Sequence, residues 1–294
     1  MGPQDAAEIA RCPELAETLP EADAASLAAL AGEHQRLFEL NLPPYESVFV
    51  DPAAEVGAVA TARVRALHRQ AEWEPPAGLR EVAPDHLGLE LLALADWWDA
   101  GRSELARRLQ VHHLALWVPA FILSLRRLKP APFYFVLGEL TLKQIITTLP
   151  VDPIPRDSDP FPPIPPPPAP AEMEDGLGVG LRDIVIRLLV PRQTGLFLMR
   201  ADIARLNRAL DLPETAGERD QMLGTLFRLA NERKQMPVLL EQLHQLLMET
   251  EAGYRAWAEE YPNWARYARV WYHHVLSTRT TLNLLGAVLI YDDV

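Results

Sequence analysis

The chain has 294 residues, 28 Lys+Arg against 40 Asp+Glu, and a formal net charge of −12. Hydrophobic residues make up 49% and charged residues 23%, the values of a folded globular chain rather than a disordered one. The acidic balance argues against a nucleic-acid binder, which needs a basic face to release counterions, and the single cysteine, Cys12, excludes a disulfide framework and a thiolate zinc cluster.

Taken in chain order, the first segment, MGPQDAAEIARCPELAETLP, is acidic and lacks the apolar run of a signal peptide. The segment SVFVD is the one short strand candidate. Leu87, Leu91, Leu94 and Trp98 fall on one face at helical spacing, with Pro84 at the first helical position and Asp85 and His86 in the first turn. Gly101 ends that helix and Ser103 is the expected N-cap of the next, whose face is Leu105, Leu109, His112 and Leu116. Pro119 is expected to kink or end it, because proline lacks the amide proton and clashes with the carbonyl four residues back. Phe121, Leu125 and Leu128 form another stripe, and a further helix spans 133–149.

Between Pro150 and Pro170 eleven of twenty-one residues are proline, which reads as an extended polyproline spacer. Beyond it come a short helix over 181–190 ended by Pro191, and helices marked by Ile203, Leu206 and Leu210, by Met222, Leu226 and Leu229, and by Leu239, Leu243 and Leu246. Tyr254, Trp257 and Tyr261 lead to Pro262, and Trp264, Tyr267, Trp271 and Val275 carry the aromatic face of a last section ending near Leu289. The fold class is therefore all-α, with a helical domain over 1–149, a Pro/Gly-rich linker over 150–180 and a second helical domain over 181–294. The longest apolar stretches, 114–123 and 284–291, fall short of the ~20 residues of a membrane span. With the lone cysteine, this gives the expectation of a cytoplasmic protein with no membrane insertion.

Catalytic and cofactor signals are thin. The pairs His112–His113 and His273–His274 point about 100° apart on a helix and cannot chelate one ion from one face. No H-E-x-x-H, C-x-x-C or G-x-S-x-G occurs, and GLGVG at 176–180 lacks the strand and the Lys-Ser/Thr of a phosphate loop. No enzyme, cofactor or metal is expected. Three segments stand out instead: RLFELNLPPYESVFVD (36–51), APDHLGLELLALADWWD (83–99) and HHLALWVPAFILSLRRLKPAPFY (112–134). Each places large apolar residues beside isolated acids and histidines. Two readings stay open on residues alone. One is a helical core with its usual caps. The other is a groove for an apolar peptide flanked by basic residues, with carboxylates at the rim to select arginine.

These three segments, in this order, resemble the TorD/DmsD/NarJ family of redox-enzyme maturation chaperones. PPYES follows Leu37-Phe38 as in the family. APDHLGLELLALA is similar to its Glu-Pro-x-Asp-His-Leu signature, with Ala83 where the family commonly has Glu. HLALWVPAFILSL resembles its His-Leu-x-x-Trp-x-Pro-x-Phe segment. The resemblance implies a helical bundle of that type and a cytoplasmic chaperone. Its partner would be the apo catalytic subunit, or the twin-arginine signal peptide, of a molybdenum-cofactor oxidoreductase, bound before export. It implies peptide-binding roles for Asp85 and His86 first, then Leu37, Phe38, Tyr45, Glu46, Glu90, Trp117, Pro119 and Phe121. It leaves a homodimer by helix exchange open. The competing reading is a helical adaptor with no redox client, using the face of Trp264, Tyr267 and Trp271.

Overall fold

The computed structural model describes residues 9, 11–19, 23–149 and 181–292, with side chains over 184–286 in the last stretch. The linker expected over 150–180 lies outside the described residues. The elements are α1 Pro13–Ala16, α2 Ala24–His34, α3 Glu46–Val50, α4 Val59–Gln70, α5 Leu87–Asp99, α6 Ser103–Leu109, α7 Ala115–Arg127 and α8 Pro132–Thr147. After the undescribed segment come α9 Leu181–Leu188, α10 Pro191–Thr194, α11 Arg200–Ala209, α12 Arg219–Glu232, α13 Met236–Glu260 and α14 Ala265–Asp292. No strand occurs among the described residues, so the fold is all-α, as the periodicity requires.

Two π-helical turns interrupt the pattern, Gln35–Glu39 after α2 and Gln110–Leu114 between α6 and α7. SVFVD, read as a strand candidate, is helix α3 followed by Asp51. Residues 46–50 are all buried, so a short run apolar throughout carries no period to separate helix from strand. α5 starts two residues later than Asp85, with His86 as its N-cap: the His86 Nδ1 accepts the Gly88 N–H at 3.1 Å. α6 begins at Ser103 itself, behind Arg102, and Ser103 provides no cap.

Pro119 does not end its helix. α7 runs through it, and the consequence appears at the carbonyls it strands. Proline at 119 leaves the Ala115 carbonyl without its helical donor, and the Trp264 indole N–H fills that place at 2.8 Å. The Trp271 indole donates to the Leu116 carbonyl at 2.7 Å, and the Tyr267 hydroxyl to the Val111 carbonyl, in the π turn, at 3.0 Å. The aromatic face assigned to a possible adaptor surface is thus buried against α7 inside the chain, and it cannot serve an outside partner there.

Helices from both sides of the undescribed segment share one hydrophobic core. Phe49 of α3 stacks on Phe197 at 5.1 Å between centroids. The Asn41 side chain accepts the Ala201 N–H at 2.9 Å at the start of α11, and an Arg192 NH group donates to the Val50 carbonyl at 3.1 Å. Arg127 of α7 pairs with Asp202 at 3.1 Å, and the same carboxylate caps α11 through the Met199 N–H at 3.0 Å. A buried ion pair adds little net stability by itself, because desolvation of the two charges offsets their attraction.

One buried group makes the fold acid-sensitive. His68 of α4 packs edge-on to Trp73 and Trp97, at 4.6 and 5.9 Å, and burial pushes its pKa down to about 4. A base whose folded value lies below its free value of 6.5 binds its proton preferentially in the unfolded chain, so stability falls as pH drops from 6.5 toward 4. A His68→Phe variant, which keeps a ring there, is expected to lose about 2 kcal/mol less than the native chain between pH 7 and pH 4, allowing for solvent screening. Urea titrations at the two pH values check this; parallel losses would remove His68 as a cause.

Candidate functional site

The three segments singled out in the sequence converge. The chain from Pro44 to Glu46 pairs with Asp85 to Leu87 in a single antiparallel bridge, with the Glu46 N–H donating to the Asp85 carbonyl at 3.0 Å and the Leu87 N–H to the Pro44 carbonyl at 2.9 Å. Tyr45 lies edge-on to the His86 ring at 5.0 Å. Above this bridge opens an apolar groove of about 220 Å³. Its walls are His34 and Phe38 at the end of α2 and its π turn, Pro44, then His86, Leu87, Gly88 and Leu91 of the α5 start. Phe121, Ile122 and Leu125 of α7 form the floor, and Tyr134, Leu137, Gly138 and Thr141 of α8 the far side.

Aromatic packing shapes the floor. Phe38 stacks on Phe121 at 6.1 Å and meets Tyr134 edge-on at 5.5 Å. Gly138 lets α8 close on α7, because a Cβ there would lie 3.0 Å from Leu125 Cδ2 and 3.3 Å from Ile122 Cδ1. His86 is the polar group of the near wall. Burial lowers its pKa, against the Asp85 charge that raises it, and the Gly88 N–H assigns Nδ1 as acceptor. The neutral ring therefore carries its proton on Nε2 and keeps that donor for another group.

Of the residues expected to bind peptide, His86, Phe38 and Phe121 line the groove, and Tyr45 is half-buried behind His86. The others lie beneath it. Leu37, Trp117 and Pro119 are core. Asp85, Glu46 and Glu90 were expected at the rim as an arginine-selecting lip, and the structure places all three at 0% exposure. The reason is chemical. Asp85 Oδ2 accepts the Ser47 N–H at 2.9 Å and the Ser47 hydroxyl at 2.6 Å, and Oδ1 accepts the Thr61 hydroxyl at 2.8 Å. Three donors satisfy this carboxylate inside the protein and make it a brace between α3, α4 and the start of α5.

Glu46, Glu90 and His113 form a second buried polar centre. His113 Nδ1 lies 2.7 Å from Glu46 Oε2, an Arg63 NH group 3.4 Å from Glu46 Oε1, and the Trp117 indole N–H donates to Glu90 Oε2 at 3.1 Å. Burial first, and the neighbouring Glu46 carboxyl second, hold the Glu90 pKa well above the usual carboxylate range.

Glu39 is an exposed carboxylate next to the groove lining: its side chain is 60% exposed, and its Oε1 lies 3.9 Å from Nδ1 of His34, a wall residue. Sequence reasoning passed over it, although it follows Leu37-Phe38 directly.

The family model described as nitrate reductase delta subunit matches residues 3–123. The match spans 121 of the 294 residues. The delta-subunit match starts before the three segments and carries α1 to α7 as far as Leu123, so it includes His86, Phe38 and Phe121 but not the α8 side of the groove. This family comprises maturation chaperones acting with molybdoenzyme subunits, rather than catalysts. No curated protein and no solved structure matches the chain. Among the described residues no helix is long and apolar enough to cross a membrane.

Proposed function

We propose that the chain is a maturation chaperone for a molybdenum-cofactor enzyme that works in the cytoplasm and holds an apolar segment of its client, the twin-arginine signal peptide, in the groove between α5, α7 and α8. The observation that supports this is the groove itself, an apolar trough floored by Phe121 and walled by Phe38 and Leu91 on the family's own segments. At about 220 Å³ it is smaller than the roughly 300–1,000 Å³ of small-molecule sites and suits a few side chains of a peptide. Apolar burial supplies the free energy, at ~25 cal/mol per Å². The His86 Nε2–H offers a hydrogen bond to a peptide carbonyl. Glu39, next to the groove lining, attracts the arginines that precede the apolar core, and the net charge of −12 steers them within a Debye length of about 8–10 Å. Neither role falls to Asp85.

Leu91→Glu tests this reading, since Leu91 is half-buried on the groove wall, where it packs against the edge of the core. A carboxylate there meets the apolar part of the peptide. Fluorescence anisotropy with a labelled molybdoenzyme signal peptide, measured well below the variant's melting temperature, is expected to show at least tenfold weaker binding, about 1.4 kcal/mol. Unchanged affinity would place the peptide elsewhere. Repeating the titration with the subunit lacking its leader separates signal-peptide recognition from recognition of the mature chain.

A further inference from the structure

We propose that Glu46, Glu90 and His113 form a binding site for one divalent transition-metal ion of the zinc class. One ligand atom from each residue lies within 4.8 Å of the other two, and all three residues are buried. Glu90 Oε2 accepts the Trp117 indole N–H, and no backbone, hydroxyl or cationic donor reaches its buried Oε1; the neighbouring group is the Glu46 carboxyl. Two buried carboxyl groups set against each other are costly, and a cation at the centre of the cluster relieves that cost. The ligand chemistry selects the ion. Imidazole with two carboxylates suits zinc and its neighbours, whereas calcium and magnesium take six or more oxygens and keep water. Zinc bonds of about 2.0–2.2 Å place tetrahedral ligand atoms roughly 3.4 Å apart, so on loading the His113–Glu46 pair opens from its 2.7 Å contact while Glu90 stays within the 4.8 Å cluster.

In the loaded site the His113 Nδ1 gives up its contact with Glu46 and takes the metal as a lone-pair donor, and both carboxylates are unprotonated, so uptake releases protons. Trp117 and Arg63 remain outside the ligand set, each on a carboxylate oxygen. The side chain of His113 keeps 9% exposure, which gives the ion its way in. The three ligands come from α3, α5 and the π turn that leads into α7; α5 also carries Leu91, and α7 carries Phe121, at the groove. A bound ion would tie these elements together from below. No metal motif announces the site, because its ligands come from three separate segments.

The test is titration of metal-stripped full-length protein with Zn²⁺ by calorimetry, and with Co²⁺ by visible absorption. The expected result is one equivalent bound, Co²⁺ bands of tetrahedral intensity, a higher melting temperature with metal, and at least tenfold weaker binding in Glu90→Gln and in His113→Asn. Gln keeps the acceptor for Trp117, so that variant folds; circular dichroism verifies it, and His113→Asn is a second, independent ligand removal. No stoichiometric uptake by the native chain overturns the site. So does uptake that both variants leave unchanged, which would belong to surface histidines. These readouts do not involve peptide and stand apart from the groove.

Discussion

Alanine at Gly195 is expected to cost the protein about 4 kcal/mol or more, because among the described glycines this is the one where an added methyl group runs into backbone atoms. Gly195 closes α10 in the left-handed region, at φ 73°. An L-residue pays roughly 1–2 kcal/mol for that conformation alone. The larger part is steric. A Cβ at this position would sit 2.6 Å from the Trp271 carbonyl oxygen, 2.7 Å from the Val275 nitrogen and 2.5 Å from Val275 Cγ2. Two of these are backbone atoms of α14, which cannot rotate away, so the helix must move. Yet α14 is held on α7 by the Trp271 indole, and its start by the indole of Trp264 just before it. The Gly195 carbonyl also accepts the buried Tyr254 hydroxyl at 3.0 Å, and the Thr194 carbonyl the Thr278 hydroxyl at 3.3 Å. Displacing the turn strains both bonds. Gly101→Ala is the control: φ is 71° there, and nothing lies within 4 Å of the added Cβ. Urea unfolding should place Gly101→Ala about 1–2 kcal/mol below the native chain and Gly195→Ala well below that. Equal midpoints for the two variants would mean that α10 and α14 do not approach as described.

That prediction concerns a joint which sequence reading could not reach. The helices themselves were legible, because Ile203, Leu206 and Leu210, or Met222, Leu226 and Leu229, repeat at the helical period and a stripe of that kind has to be buried. What covers each stripe is another matter. The Ala115 carbonyl freed by Pro119 and the Val111 carbonyl in the π turn take donors from side chains far along the chain, and no local pattern links Pro119 to Trp264. The chosen stripe of α5 illustrates the same limit. Leu87 and Leu91 face the groove, Trp98 is 45% exposed, and the core face is Leu89, Ala93, Leu94 and Trp97. A helix apolar nearly all round offers no single face to read. At the site, the residue types were visible and their depth was not. A carboxylate at the rim and a carboxylate with three donors beneath it look alike in sequence, and the donors of Asp85 come from Ser47 and Thr61 on other elements.

Depth makes Asp85 the second position of large effect, and the effect should arise through folding. Asp85→Ala removes the acceptor of three buried donors and leaves the Ser47 and Thr61 hydroxyls and the Ser47 N–H unpaired, a loss expected at about 3–5 kcal/mol. It also frees the bridge between Tyr45 and His86, so the near wall of the groove loosens and peptide affinity falls with it. A weakened Asp85→Ala protein is therefore no sign of contact between the carboxylate and an arginine. Asp85→Asn separates the two causes. Its carbonyl can keep the two donors of Ser47, and its amide can donate to Thr61, whose hydroxyl rotates to accept. The loss should then shrink to about 1–2 kcal/mol. Peptide affinity, measured well below both melting temperatures, should stay within about twofold of the native value, since the groove wall is intact and the side chain is sealed from the ligand. If Asp85→Asn instead keeps its melting temperature and binds tenfold more weakly, the carboxylate charge acts on the peptide directly, and the side chain is no brace.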